Sequence, residues 1–88
     1  MVRRVEKKKV TRISLVRGQL LRDLRQSKGE AWTLRKVADK AFISINFLSE
    51  IERVRKQASD SVLDGLLVVL DIPEDKFYAL LSQRLRSH

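Results

Sequence analysis

No cysteine occurs in this sequence, so no disulfide staples its fold and no thiolate is available to a metal. Such a chain suits a reducing compartment. The single histidine, His88, is the last residue. One imidazole allows no paired-histidine metal motif, and neither a P-loop nor a nucleophile elbow appears. The carboxylates fall almost entirely at expected helix caps and flanks. The sequence therefore offers no catalytic residue, no metal site and no cofactor motif, and the expectation is a protein that is not an enzyme. Long apolar runs are missing as well. The longest, Leu66 to Leu70, is far too short to cross a bilayer. No uninterrupted apolar segment follows the early charges, which argues against a signal peptide. Repeats and low-complexity tracts are absent.

What remains is short, basic and helical in pattern. At 88 residues the chain is one domain with a modest core, supported by close helix packing or by a partner subunit. Its formal charge is +8. Residues 1–17 carry Arg3, Arg4, Lys7, Lys8, Lys9, Arg12 and Arg17 against Glu6, a net of +6, which leaves +2 for the rest. Such a stretch suits phosphate backbones. A lipid surface is the poorer partner, because no aromatic or long apolar face accompanies the charges. Residues 1–14 read as a basic arm, with room for some helix before residue 15, either solvated or laid on phosphates or a minor groove. Residues 15–88 read as the folded domain.

Five helices are expected in that domain. Ser14 is placed to cap the first, from about Leu15 to Ser27, with Leu20, Leu21 and Leu24 at helical spacing. Lys28-Gly29 ends it, glycine being suited to the left-handed position after a helix. Thr33 is the next cap, and Trp32 and Val37 have the spacing of a hydrophobic staple across it. That spacing accounts for the sole tryptophan without making it a stacking platform for a base. The second helix runs from Leu34 to about Ala41, with Val37, Ala38 and Ala41 inward. Phe42-Ile43 makes a tight turn, Ser44 caps again, and Ile43 with Leu48 repeats the staple.

The third helix runs from Ser44 to about Val54. At about 100° per residue, Phe47, Leu48 and Ile51 share one face. Ile45, Asn46, Ser49 and Arg53 lie opposite, with Glu50 at the edge. Side chains of that size with hydrogen-bonding ends suit approach to base edges. A solvated polar face is equally what any amphipathic helix carries, so this helix alone does not decide. The segment Val54-Arg55-Lys56-Gln57 is a basic loop. A fourth helix, capped by Ser59 or Asp60 and running to about Leu70, is apolar over more than half its circumference, as a centrally packed helix would be. Asp71 tolerates the left-handed conformation that stops it. Pro73 opens the last helix, which carries Phe77, Tyr78, Leu80, Leu81 and Leu85.

Five short helices with that turn in the middle resemble the lambda repressor/Cro-like (XRE) helix-turn-helix family. The resemblance rests on Thr33, Val37, Ala38, Ile43-Ser44, Leu48-Ser49, Ile51-Glu52-Arg53 and Leu70-x-Ile72, and spans Leu15 to about Tyr78. The phrase FLSEIERVRKQAS, with TLRKVAD before it, is similar to the YLSEIERGRKEAS of the actinobacterial Clp gene regulator branch. The fold so implied is all-α, a compact five-helix bundle around a central helix-turn-helix.

Two joints depart from the family pattern. Phe42 and Val54 stand where it usually has glycine, often with φ > 0. β-branched valine resists that conformation, so either an altered turn or an extended third helix is expected there. Leu34 replaces a glutamine that binds phosphate in the family, which leaves that contact to Arg35. The resemblance also pairs Arg25 with Glu52, as architecture and not as a DNA contact.

The function implied is a sequence-specific regulator of transcription on double-stranded DNA, in the bacterial cytoplasm at the nucleoid. Ile45, Asn46, Ser49 and Glu50 are the expected base readers. Arg35, Lys36, Ser44, Arg53, Arg55 and Lys56 are the expected backbone contacts. A domain this small suggests a homodimer on an inverted repeat. Phe77, Tyr78, Leu81 and Leu85 are the chosen dimer surface, although the same stripe would equally close a monomer core. The competing reading is an antitoxin-like or adaptor protein whose main partner is another protein, since fold alone does not fix function.

Overall fold

A computed structural model describes residues 11–87 of the chain. Most of the basic arm, residues 1–10, and the terminal histidine lie outside the described residues. The described residues form five helices: α1 (Arg12–Ser27), α2 (Leu34–Ala41), α3 (Ile45–Glu52), α4 (Asp60–Leu70) and α5 (Glu74–Ser87). None of these helices is long and apolar enough to cross a membrane.

Hydroxyl caps set where the helices start. Thr33 Oγ1 accepts the Lys36 N–H at 3.1 Å, Ser44 Oγ accepts from Phe47 N at 2.9 Å, and Ser59 Oγ accepts from Val62 N at 3.3 Å. Each satisfies one of the orphan amides of a first turn. The first helix begins three residues before the expected Leu15. Its cap is Thr11, whose hydroxyl accepts from Ser14 N at 3.0 Å while Ser14 Oγ accepts from Thr11 N at 3.1 Å. Ser14 is thus the reciprocal partner in a capping box, buried in the first turn. Residues 11–14, counted with the arm in the sequence, form the cap and first turn of α1.

Three helices stop in the same way. After α2, Phe42 N–H bonds Asp39 O and Ile43 N–H bonds Ala38 O at 3.0 Å. After α3, Val54 N–H bonds Ile51 O and Arg55 N–H bonds Glu50 O at 2.7 Å. After α4, Asp71 N–H bonds Val68 O and Ile72 N–H bonds Leu67 O at 2.9 Å. This paired return to the last carbonyls is the Schellman arrangement, which requires a left-handed residue after the helix. Phe42, Val54 and Asp71 supply it, with φ of 60°, 63° and 59°. The expectation of an altered turn or longer helix at Val54 is therefore wrong. Helix α3 ends at Glu52 and the valine is held left-handed. Two bonds to α3 carbonyls outweigh the local preference of a β-branched residue.

The core gathers Val16, Leu20 and Leu21 of α1, Val37 and Ala38 of α2, Leu48 and Ile51 of α3, four leucines of α4, and Phe77 and Leu81 of α5. Helix α1 packs on α3 and α5, while α2 packs on α3 and α4. The first and last helices are also tied by polar groups. Arg84 Nη1 meets Asp23 Oδ2 at 2.8 Å, and the Arg12 guanidinium donates to Leu85 O. The dimer surface expected on α5 needs correction, because Phe77 is 0% exposed and Leu81 6%. Both face inward and close the core of one chain. Of the four residues only Tyr78, 41% exposed, and half-buried Leu85 remain at the surface.

Candidate nucleic-acid interface

Helix α3 divides into an inner and an outer face as its 3.6-residue period requires. Leu48 and Ile51 are buried and Phe47 packs against the core from its edge. Ile45 and Asn46 are exposed on the other side, and Ser49 and Glu50 are half-buried. An exposed isoleucine beside an exposed amide pairs one apolar contact surface with one donor–acceptor group. Ser49 is set deeper, in a cleft of about 210 Å³ that it lines with Arg22, Leu34 and Arg53. Glu50 Oε1 lies 3.4 Å from Lys56 Nζ, so an expected base reader and an expected phosphate contact neutralise each other here.

Cations surround this face. Arg53, Arg55 and Lys56 are exposed in the loop after α3, and Arg35 is exposed on α2. The loop is held in place by the bonds of Arg55 N and Lys56 N to Glu50 O, at 2.7 and 3.2 Å. Ser44 is exposed, and its oxygen is already used by Phe47 N. Arg22 and Arg53 also border a larger cleft of about 610 Å³ between α1 and this loop.

Behind the face sits one buried ion pair. Arg25 Nε donates to Glu52 Oε2 at 2.8 Å and Arg25 Nη2 to Glu52 Oε1 at 2.9 Å, while Arg25 Nη1 donates to Trp32 O at 2.9 Å. The two-pronged geometry fixes orientation as well as charge. One guanidinium thereby joins α1, the end of α3 and the loop that leads into α2. Among the described residues no buried side-chain polar atom lacks a partner, as a low-dielectric network demands. The pair expected between Arg25 and Glu52 is present, and its third bond, to the loop, was not expected.

Two features were missed in the sequence. Gly18 lies in the interior of α1, where glycine costs helix stability. A Cβ there would stand 2.7 Å from Ile51 O and 3.0 Å from Val54 Cγ2. The bare backbone is what lets α1 approach the end of α3. An isolated glycine inside a helical pattern was the available signal. The second is the surface of Trp32, which is half-buried and packed against the core. Its ring carries Lys36 Nζ at 4.6 Å and Lys28 Nζ at 5.4 Å from the centroid. Packing explains part of the ring, as expected, and two lysine ammonium groups lie over it.

Comparison with known proteins agrees with this geometry. The family described as "Helix-turn-helix domain" matches residues 18–80. Two curated relatives, both named transcriptional regulator ClgR, come from Mycobacterium tuberculosis strains CDC 1551 / Oshkosh and ATCC 25618 / H37Rv. Each is 45% identical over 56 residues, which is 64% of this chain and 48% of the relative. The chain thus spans about half the length of the curated relatives it matches. Among solved structures, the clp gene regulator ClgR from C. glutamicum superposes with a TM-score of 0.74 at 28% identity, over 88% of this chain and 96% of that one. The wild-type restriction-modification controller protein C.Esp1396I superposes at 0.82 with 19% identity, over 89% and 99%. That last likeness is one of fold.

Proposed function

This chain belongs to the helix-turn-helix domain family, and on that footing we propose that it is a transcriptional regulator that binds a specific duplex sequence through the major groove, as a homodimer. The observation that carries the reading is the outer face of α3. Ile45 and Asn46 stand exposed on a helix whose start is capped by Ser44 and whose end is held by the Arg25–Glu52 pair. In this reading Asn46 bonds the N6/N7 edge of an adenine and Ile45 meets a thymine methyl. Ser49 serves a base edge only where the groove floor reaches its cleft. Glu50 accepts from a cytosine amine after releasing Lys56.

Arg35, Lys36, Arg53, Arg55 and Lys56 neutralise phosphates and set the register. The Ser44 oxygen is engaged, but its hydroxyl proton remains to donate to a phosphate. A helix of eight residues is about 12 Å long and reads only a few base pairs. Two copies on an inverted repeat extend the site. With Phe77 and Leu81 inside the core, the dimer surface passes to Tyr78 and Leu85, and the strongly exposed Val68 of α4 is a further apolar group available. The protein acts at the nucleoid.

Selection from random duplexes tests this. The expected result is one enriched motif with two-fold symmetry. A flat pool at low salt contradicts the reading. A second reading, with a protein as the main partner, is favoured by one observation: Phe42 is 93% exposed at the turn between α2 and α3. Phe42→Ala then abolishes co-purification of that partner, whereas the DNA reading predicts unchanged enrichment of the motif.

A further inference from the structure

We propose that Trp32 is a positioning residue that holds Lys28 and Lys36 as a two-cation clamp for the phosphates of duplex DNA. The inference rests on the DNA-binding reading and adds two residues to it, Lys28 and Trp32. Both ammonium groups lie within the range over which an aromatic face attracts a cation, at 5.4 and 4.6 Å from the Trp32 centroid. Lys28 closes α1 and Lys36 belongs to the first turn of α2, so two chain segments deliver like charges to one ring. Like charges brought together repel. Among the described residues neither lysine has a carboxylate within ion-pair distance. The site therefore carries two cations on one ring, with no carboxylate among the described residues paired to either.

The Trp32 backbone is fixed relative to α3, and the ring packs against the core. Trp32 N–H donates to Gly29 O at 3.0 Å, and Trp32 O accepts from Arg25 Nη1 at 2.9 Å. That same guanidinium grips Glu52 at the end of α3. Lys36 is held from its own side, because its backbone N–H is bonded to Thr33 Oγ1. A rigid aromatic that narrows the freedom of two long side chains reduces the ordering cost each would meet on binding. A polyanion of fixed phosphate spacing is the ligand that gains most from such an arrangement. A solvent-directed pair of lysines would be left free to move apart.

The test is the salt dependence of binding to the selected duplex. Each of Lys28→Ala and Lys36→Ala flattens the slope of log K against log salt by about one unit, and the double variant by about two. Trp32→Phe keeps an aromatic face and retains the wild-type slope, whereas Trp32→Leu loses part of it. Lys76→Ala, exposed on α5, removes the charge of one lysine elsewhere and leaves the slope unchanged. Circular dichroism establishes that each variant is folded. A double variant that is folded and keeps the wild-type slope overturns the clamp while leaving the DNA reading intact. Wild-type protein that binds no duplex at low salt overturns both.

Discussion

The two joints of the helix-turn-helix adopt one conformation in two different settings. Phe42 and Val54 have φ of 60° and 63° and close the same paired bonds to the carbonyls of the helix before them. The left-handed conformation costs a residue with a Cβ about 1–2 kcal/mol, and a β-branched one is the worst suited to it. Phe42 is almost wholly in solvent, so nothing around its side chain offsets that cost. Val54 is half-buried, and its Cγ2 lies where Gly18 leaves room for it. Such a turn is therefore specified by its hydrogen bonds and by what packs over it. Glycine is the easy occupant and not a required one.

The largest expected effect comes from removing the brace behind the second joint. Arg25→Ala leaves Glu52 buried without its partner and destabilises the fold by about 3–5 kcal/mol, measured by urea unfolding. The double variant with Glu52→Ala recovers part of that loss, because the pair acts as a unit. Gly18→Ala comes next. Its Cβ meets a backbone carbonyl that cannot swing aside, and overpacking of this kind costs about 1–3 kcal/mol. It should also disturb the loop that carries Arg53 and Arg55 and so weaken DNA binding, while the same change at the exposed Gly29 meets no atom and costs only the backbone strain of its φ of 113°.

Glycine substitutions at the joints separate their settings. Phe42→Gly should raise stability by about 1 kcal/mol, since strain is relieved and no burial is lost. Val54→Gly should be near neutral, because the valine methyl that packs over Gly18 is removed along with the strain. Equal gains at both joints would show that Val54 packing contributes nothing. The smallest change in stability belongs to Lys56→Ala. Its exposed pair with Glu50 is worth well under about 1 kcal/mol, yet its loss flattens the salt slope of DNA binding by about one unit.

Much of the fold was legible because it is written in local chemistry. Thr33, Ser44 and Ser59 announce helix starts through their hydroxyls, and Phe47, Leu48 and Ile51 declare the inner face of α3 by spacing alone. The start of α1 was misplaced for an instructive reason. Thr11 and Ser14 are both hydroxyl residues, and a capping box with serine in place of glutamate looks like two caps. The fate of Phe77 and Leu81 was not legible, because an apolar stripe fits a core and a partner equally, and only the packing of α5 on α1 decides. The rule against valine at φ > 0 described the local energy correctly and the outcome wrongly. At the site, Asn46 and Ile45 followed from the helical wheel, whereas the Arg25–Glu52 pair followed from family resemblance. The lysines over Trp32 stayed hidden because the break at Lys28-Gly29 interrupts the helix, so the four-residue spacing on that side carries no helical meaning.

The central claim is that the outer face of α3 reads sequence, and Asn46→Ala tests it most directly. The quantity to measure is the ratio of affinities for the selected duplex and a scrambled one, at a single salt concentration. Loss of one two-bond base contact is worth about 1–3 kcal/mol of discrimination. The predicted result is a ratio reduced by about 5- to 150-fold, with affinity for the scrambled duplex unchanged. A variant that keeps the wild-type ratio, or loses affinity for both duplexes equally, contradicts the account.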